Sequence, residues 1–353
     1  MNKKEMVMDK VRIGIIGSGF MGRTNAETVT RYLEGAELVA VAGGTRAPQL
    51  AGEYHVAHEA TVPQLLERPD IDAVLISTPH SEHAWQTIHA AEHGKHILLD
   101  KPMATTIEDC DRILDAVHKA GVNLMIMFGQ RFRICNREAR RLIQEGAIGR
   151  VTMIQEHILN CGGLASLPSW QSLPENSGTL LAHAVHNIDR IRWFSGQEVS
   201  SVAAQVQKDA ASGNEVSTMA VFGLSGGSMA MLWESWAIPQ PGFPRTASAS
   251  RVVGETGILD VDAYGELRLG RDGKWSVIAR QDAIDWKGKG MLDPVRLEAY
   301  RLQHQEFIDS IRNGRAPTVT GQDGRASVEA ALAAYRSATE GVTVWLPMGG
   351  KSK

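Results

Sequence analysis

Residues 11–22 read VRIGIIGSGFMG. An aliphatic, β-branched run from Val11 enters Gly17, Ser18, Gly19, Phe20, Met21 and Gly22, and a helical pattern follows. A G-x-G-x-x-G turn that closes a strand and opens a helix has a physical reading. The first glycine allows a tight turn, the second lets backbone N–H groups approach a pyrophosphate, and the third lets helix pack on strand. The helix start adds unpaired donors and partial positive charge for an anion. Residues 17–22 are therefore expected to cradle a dinucleotide.

The surrounding chain has the matching rhythm. ELVAVAG, IDAVLIS, HILLD and NLMIMFG are further apolar strands, separated by helical stretches such as SEHAWQTIHAAEHG and TTIEDCDRILDAVHKAG. Strands that are apolar throughout, each followed by a helix, predict a parallel sheet covered on both faces. Beyond REARRLIQEGAIGRV the texture becomes alternating strands with Gly/Ser turns, interrupted by one helix from about Thr179 to Phe194. The expected organisation is an α/β Rossmann domain over 1–130 and an α+β domain with a mostly antiparallel sheet over 131–353. The closing helices of the second part are candidates to pack back on the first.

At the end of the second strand, VAVAGGTRAP, a dinucleotide site normally carries an acid for the ribose 2′-hydroxyl. Here Gly43 or Gly44 stands in its place, followed by Thr45 and Arg46. A hydroxyl and a guanidinium suit a 2′-phosphate, so this chemistry favours NADP over NAD. Arg46 also reads as an ordinary solvated loop residue.

HILLDKPMA places Asp100, Lys101 and Pro102 at the carboxyl end of another parallel strand, the edge where open α/β sheets bind ligands. A lysine between apolar strand and cofactor is partly desolvated. Its pKa should fall, letting the amine hydrogen-bond a substrate hydroxyl and help move its proton.

GIIGSGFMG, STPHSEHA, GKHILLDKPMA, GQRFR, IGRV and GQDGRASVEAALAAYRSA together resemble the Gfo/Idh/MocA oxidoreductases across nearly the whole chain. The resemblance implies a Rossmann domain, a second domain with an open-faced sheet, and hydride transfer between a nicotinamide and a carbohydrate-like alcohol or ketone. It implies that Lys101 is catalytic, with Asp100 where that family usually has glutamate. It also implies that Thr78, Pro79, His80 and His83 lie near the nicotinamide ribose, and that the sheet joins subunits into a dimer or tetramer.

The family's D-x-x-x-H element on a second-domain helix matches NSGTLLAHAVHNIDRIRWFSG, with His186 on the histidine and Ala182 where the aspartate is expected. His186 suits general acid–base work near neutral pH. His183, three residues earlier, reads as a substrate contact or as packing. Asp189 is expected to pair with Arg192 or to orient a histidine. In GQRFR, Gln130 is read as a cofactor contact and Arg131 as a substrate or cofactor contact or the partner of an acid. Trp170 is a candidate to pack on a sugar face. Trp233 and Trp236 are expected in the core or in an interface sheet.

Composition sets the outer bounds. The 353 residues carry a formal net charge of -3 with 43% hydrophobic and 22% charged residues, which argues against nucleic acid or a membrane surface as partner. No secretory h-region or long apolar span is present, so a cytoplasmic protein is expected. Cys110, Cys135 and Cys161 are widely spaced and indicate neither a disulfide framework nor a metal site; they should be reduced and buried. The leading expectation is a sugar, polyol or glycoside oxidoreductase. Its alternatives are a glycosidase that oxidises and eliminates while recycling its cofactor, and a dinucleotide-binding regulator without turnover.

Overall fold

The computed structural model describes residues 10–163, 167–176, 178–210, 212–243 and 248–348. The chain divides into two compact units. One comprises Met1–Ala104, Glu108–Met127 and Ile284–Gln322, and the other Thr105–Ile107, Phe128–Ala283 and Asp323–Lys353.

In the first unit, chain order runs β1 (Val11–Ile16), α1 (Phe20–Tyr32), β2 (Ala36–Ala42), α2 (Ala47–Tyr54), β3 (Ala57–His58), α3 (Val62–Leu66) and β4 (Ala73–Ile76). It continues through α4 (His83–Glu92), β5 (His96–Leu99), α5 (Ile107–Ala120) and β6 (Leu124–Ile126). The strands form a six-stranded sheet in the order β3-β2-β1-β4-β5-β6. Every pairing is parallel. Ile13, Ile15, Ile16, Val74, Leu75, Ile97 and Leu98 are buried almost completely, as strands covered on both faces require. Strand order reverses between β1 and β4, and a ligand crevice forms outside the carboxyl ends of the strands at such a switch point.

The second unit begins with α6 (Ile134–Gln144) and β7 (Val151–Cys161). After a short π-helical turn, Leu180–Ala184, come α7 (Val185–Ser195), β8 (Val199–Lys208), β9 (Glu215–Leu224) and β10 (Met229–Ile238). They are followed by β11 (Ser248–Gly254), β12 (Ile258–Asp262), β13 (Glu266–Arg271) and β14 (Lys274–Arg280). Helix α8 (Pro294–Arg312) lies in the first unit against α1; α9 (Gly321–Glu340) and β15 (Val344–Trp345) close the chain. The second sheet has nine strands in the order β14-β13-β12-β11-β7-β10-β9-β8-β15, antiparallel except where β10 runs alongside β7.

Its two faces differ sharply. Ile154, Val202, Phe222, Leu232 and Val252 are buried on one side. On the other, Met153 pairs with Met229, Met231 with Val221 and Trp233 with Met219. Of these, Met153, Met219, Val221, Met229 and Met231 are exposed. The cysteines are free, but Cys161 is half-buried rather than buried because it lies at the end of β7.

Candidate active site

The glycine turn sits at the switch point. Gly17 has φ 110°, and a Cβ there would lie 2.3 Å from the carbonyl oxygen of Ser77 after β4. A Cβ on Gly22 would lie 2.0 Å from the Gly17 carbonyl oxygen, so both positions require glycine. At Gly19 a Cβ would meet nothing closer than Arg46 Nη2 at 3.7 Å, which leaves the mouth of the turn open beneath a guanidinium. Helix α1 starts with no side-chain cap and no acid in its first turn. Its first N–H groups and its dipole are thus directed at this mouth, a setting that fits a pyrophosphate. Thr45 and Arg46 are exposed beyond the end of β2. Ser18 is buried, Met21 half-buried and Phe20 exposed, with the Arg296 guanidinium 4.8 Å above the Phe20 ring. Nothing in the sequence pattern marks Arg296, which α8 brings to the turn.

The ends of β4 and β5 are joined by His83. Its Nε2 lies 3.0 Å from the Thr78 carbonyl oxygen and its Nδ1 2.8 Å from that of Pro102, and the ring is fully buried. Burial pushes its pKa down, and the Lys101 charge acts in the same direction. Both ring nitrogens thus face backbone carbonyl oxygens, and the imidazole packs between the segments that follow β4 and β5. Thr78 Oγ1 donates to Gln86 Oε1 at 2.7 Å, Pro79 begins the short turn before α4, and His80 is buried with its ring 5.8 Å from that of His83.

Lys101 follows directly. It is half-buried, and its backbone N–H donates to Asp100 Oδ1 at 2.8 Å. Burial pushes the ammonium pKa down while Asp100 opposes it, and burial likewise pushes the Asp100 carboxyl up. Gly17, Ser18, Thr78, Pro79, Asp100 and Lys101 thus collect at the carboxyl ends of β1, β4 and β5.

In the second unit the π-helical turn and α7 present the two histidines. His183 packs its ring 4.5 Å from that of Trp236 on β10, and His186 stands edge-on to Phe128 with centroids 5.8 Å apart. Trp236 is thus beside a candidate functional group rather than in a plain core position. Ala182 and His183 line a small recess with Gln171, Asn176, Thr179 and Glu215. Trp170 lies half-buried on the short turn that also carries Gln171.

Arg131 has acid partners. Its guanidinium donates to both carboxylate oxygens of Asp189, at 2.8 and 2.5 Å, and also pairs with Asp323 at 3.1 Å. Burial opposes this charge, but Asp189 and Asp323 outweigh it and hold the guanidinium above its ordinary value. Of the readings for Arg131, the acid partner is present, as a buried ion pair. The Asp189–Arg192 pairing is also replaced, since Arg192 bonds Glu198 and Asp323. Gln130 donates to the Tyr264 hydroxyl at 3.1 Å and accepts from Asn136 and Arg190. A second buried network, Arg190 with Glu156, Asn187 and Ser250, underlies α7 and went unread. Its signal was an acid at an inward position of alternating strand β7. Among the described residues, no group of three or more His, Cys, Asp or Glu could hold a metal, and no helix is long and apolar enough to cross a membrane.

Comparison with known proteins extends this geometry. The profile of an oxidoreductase family described by its NAD-binding Rossmann fold matches residues 11–128, and that of the same family's C-terminal α/β domain matches 140–346. The chain is 28% identical over 350 residues to scyllo-inositol 2-dehydrogenase (NAD(+)) from Bacillus subtilis, covering 96% of each chain. It is 27% identical over 367 residues to 2,7-anhydro-N-acetylneuraminate hydratase from Mediterraneibacter gnavus, covering 94% of this chain and 96% of that one. The crystal structure of aldose–aldose oxidoreductase from Caulobacter crescentus, complexed with glycerol, is similar with a TM-score of 0.82 and 25% identity, covering 96% of this chain and 100% of that one.

Proposed function

Because the chain belongs to the Gfo/Idh/MocA oxidoreductase family, we propose that it acts on a hydroxyl or ketone of a sugar, polyol or glycoside with a nicotinamide dinucleotide as redox partner. It is a nicotinamide-dependent oxidoreductase of CH–OH groups. When bound, the dinucleotide supplies the hydride acceptor or donor. The observation that carries the reading is the setting of Lys101: half-buried, next to Asp100, at the strand ends where the glycine turn opens.

In this reading residues 17–22 and the α1 start hold the pyrophosphate, while Thr78, Pro79 and His80 line the nicotinamide side. Thr45 and Arg46 take a 2′-phosphate, which makes NADP the preferred form. The open mouth at Gly19 under Arg46 Nη2, and the missing acid after β2, support this. Lys101 hydrogen-bonds the reacting hydroxyl and stabilises alkoxide charge as it develops. His186 accepts or donates the proton, and His183 and Trp170 contact substrate. The first unit is assigned to the cofactor and the second to the substrate.

The exposed row of Met153, Met219, Val221, Met229 and Met231 supports assembly with a second copy through the sheet, because apolar faces of this kind mark association surfaces. Met219→Lys combined with Met231→Lys should yield monomer by light scattering; an unchanged assembly mass would exclude this face.

The activity test is reduction of free NADP+ by a panel of polyols, aldoses and glycosides. Stoichiometric reduction that falls about a thousandfold in Lys101→Ala is expected. Product formed without net reduction would instead indicate an internally recycled redox step, and one relative is named a hydratase. Tight dinucleotide binding without turnover across the panel would reject the enzymatic reading.

A further inference from the structure

Four consecutive residues ahead of α7 are fitted to one acidic cluster. A Cβ on Gly178 would lie 2.3 Å from the Tyr335 hydroxyl and 3.4 Å from Glu215 Oε2, and φ there is 108°. Thr179 Oγ1 donates to Glu234 Oε2 at 3.0 Å. The Leu180 N–H donates to both Glu215 oxygens at 3.2 Å. The Leu181 N–H donates to the Tyr335 hydroxyl at 3.2 Å, and that hydroxyl donates to Glu215 Oε2 at 2.5 Å. The turn carrying Ala182 and His183 is therefore held by Glu215 of β9, Glu234 of β10 and Tyr335 of α9.

The two carboxyls differ in their partners. Glu215 accepts from the Thr218 hydroxyl, the Tyr335 hydroxyl and the Leu180 N–H. Glu234 is fully buried and accepts only from Thr179, while its Oε1 has no hydrogen-bond partner. No ion pair among the described residues reaches either carboxyl, and burying two negative charges around one turn costs desolvation and repulsion. The titratable groups that face the pair are Tyr335 from α9 and His183, which lines the same recess as Glu215; Thr179 and Thr218 contribute neutral hydroxyls. Burial and then the Glu215 charge push the Glu234 acid well above the ordinary carboxylate range, and the same two causes raise the Tyr335 phenol.

We propose that Glu215 and Glu234 hold one proton between them, and that with Tyr335 they act as positioning residues for the turn that presents His183 and His186. The positioning role rests on the reading of these histidines as substrate and proton-handling groups; the shared proton does not.

Infrared spectroscopy and histidine-resolved NMR test this without turnover. Wild type near neutral pH should show the carbonyl stretch of one buried carboxylic acid, lost in Glu234→Gln and kept in Lys101→Ala. No such band, or its survival in Glu234→Gln, would overturn the one-proton pair. Glu215→Gln weakens the acceptor that holds the Leu180 N–H and the Tyr335 hydroxyl, so the His183 ring resonances should shift. Unmoved resonances would overturn the positioning role. Glu234→Gln preserves the neutral shape and keeps the fold testable, and its kcat profile should lose any alkaline decline that follows loss of the shared proton. A kcat as low as that of Glu234→Ala would argue against a neutral Glu234. Should wild type fail to turn over while the band and the NMR shift stand, the proposed function fails and the carboxyl pair remains.

Discussion

His83 Nδ1 lies 2.8 Å from the carbonyl oxygen of Pro102, the residue after Lys101. The same ring lies 3.0 Å from the Thr78 carbonyl oxygen with Nε2, so one imidazole packs between the backbone segments that follow β4 and β5. The lysine's position is thereby linked to the backbone proposed to line the nicotinamide side. His83→Ala should lower kcat by about 10- to 100-fold, because displacement of a reacting group by about 1 Å costs that much. Dinucleotide Kd should change little, since the glycine turn is untouched. Fluorescence titration and steady-state kinetics on the same preparation decide it, and a loss confined to dinucleotide affinity would make His83 a cofactor contact after all.

The proposed preference for NADP rests on Arg46. Its Nη2 would be the nearest atom, at 3.7 Å, to a side chain grown from Gly19, while no acid follows β2 to repel a phosphate. A charged hydrogen bond contributes about 1.5–3 kcal/mol, so Arg46→Ala should weaken NADP+ binding by roughly 10- to 150-fold and leave NAD+ nearly unchanged. Calorimetry with both dinucleotides measures this. Equal losses for the two would return Arg46 to the role of a general phosphate contact.

Arg131 is a stability residue. Removing one member of a buried pair leaves an unpaired charge and costs about 3–5 kcal/mol. Arg131→Ala should therefore lower the denaturation midpoint sharply, and Asp189→Asn should do the same. The double variant Arg131→Met/Asp189→Leu should recover most of the loss, because it buries no lone charge. A wild-type midpoint in Arg131→Ala, combined with a raised substrate KM, would restore the substrate contact.

Much of the first unit was legible because its signals are local. Fully apolar strands and a glycine turn leave few folds open, whereas β3 escaped notice because Ala57–His58 pairs over only two residues. The site's ion pairs were not legible for the opposite reason. Arg131 and Asp189 are 58 positions apart, and only the fold brings them together. The local i, i+3 choice for Asp189 and Arg192 lost to these tertiary partners, which satisfy both charges with better geometry. Glu234 carried a readable sign, an acid at an inward position of alternating β10 beside buried Leu232. Its partners Thr179 and Glu215 come from other elements, so a role could not be read in advance.

Acid sensitivity should arise in the first unit from His304. The residue is buried on α8 with Nε2 3.1 Å from Asn25 Oδ1, and burial pushes its pKa down to about 4. An unfolded-chain imidazole takes up its proton near pH 6.5. Between about pH 6.5 and 4 the unfolded state therefore binds more protons than the folded one, and stability falls as pH falls. The contribution is complete above pH 6.5, and roughly 2–3 kcal/mol of it should be gone by about pH 4.5. His83, also lowered by burial, acts in the same direction. Urea denaturation of wild type and His304→Gln at neutral and acid pH measures the difference. The variant should be less stable than wild type near neutrality, because it loses tailored packing, yet show a shallower decline on acidification. Parallel declines in the two proteins would mean that His304 is already protonated in the folded state or titrates as it does in the unfolded chain.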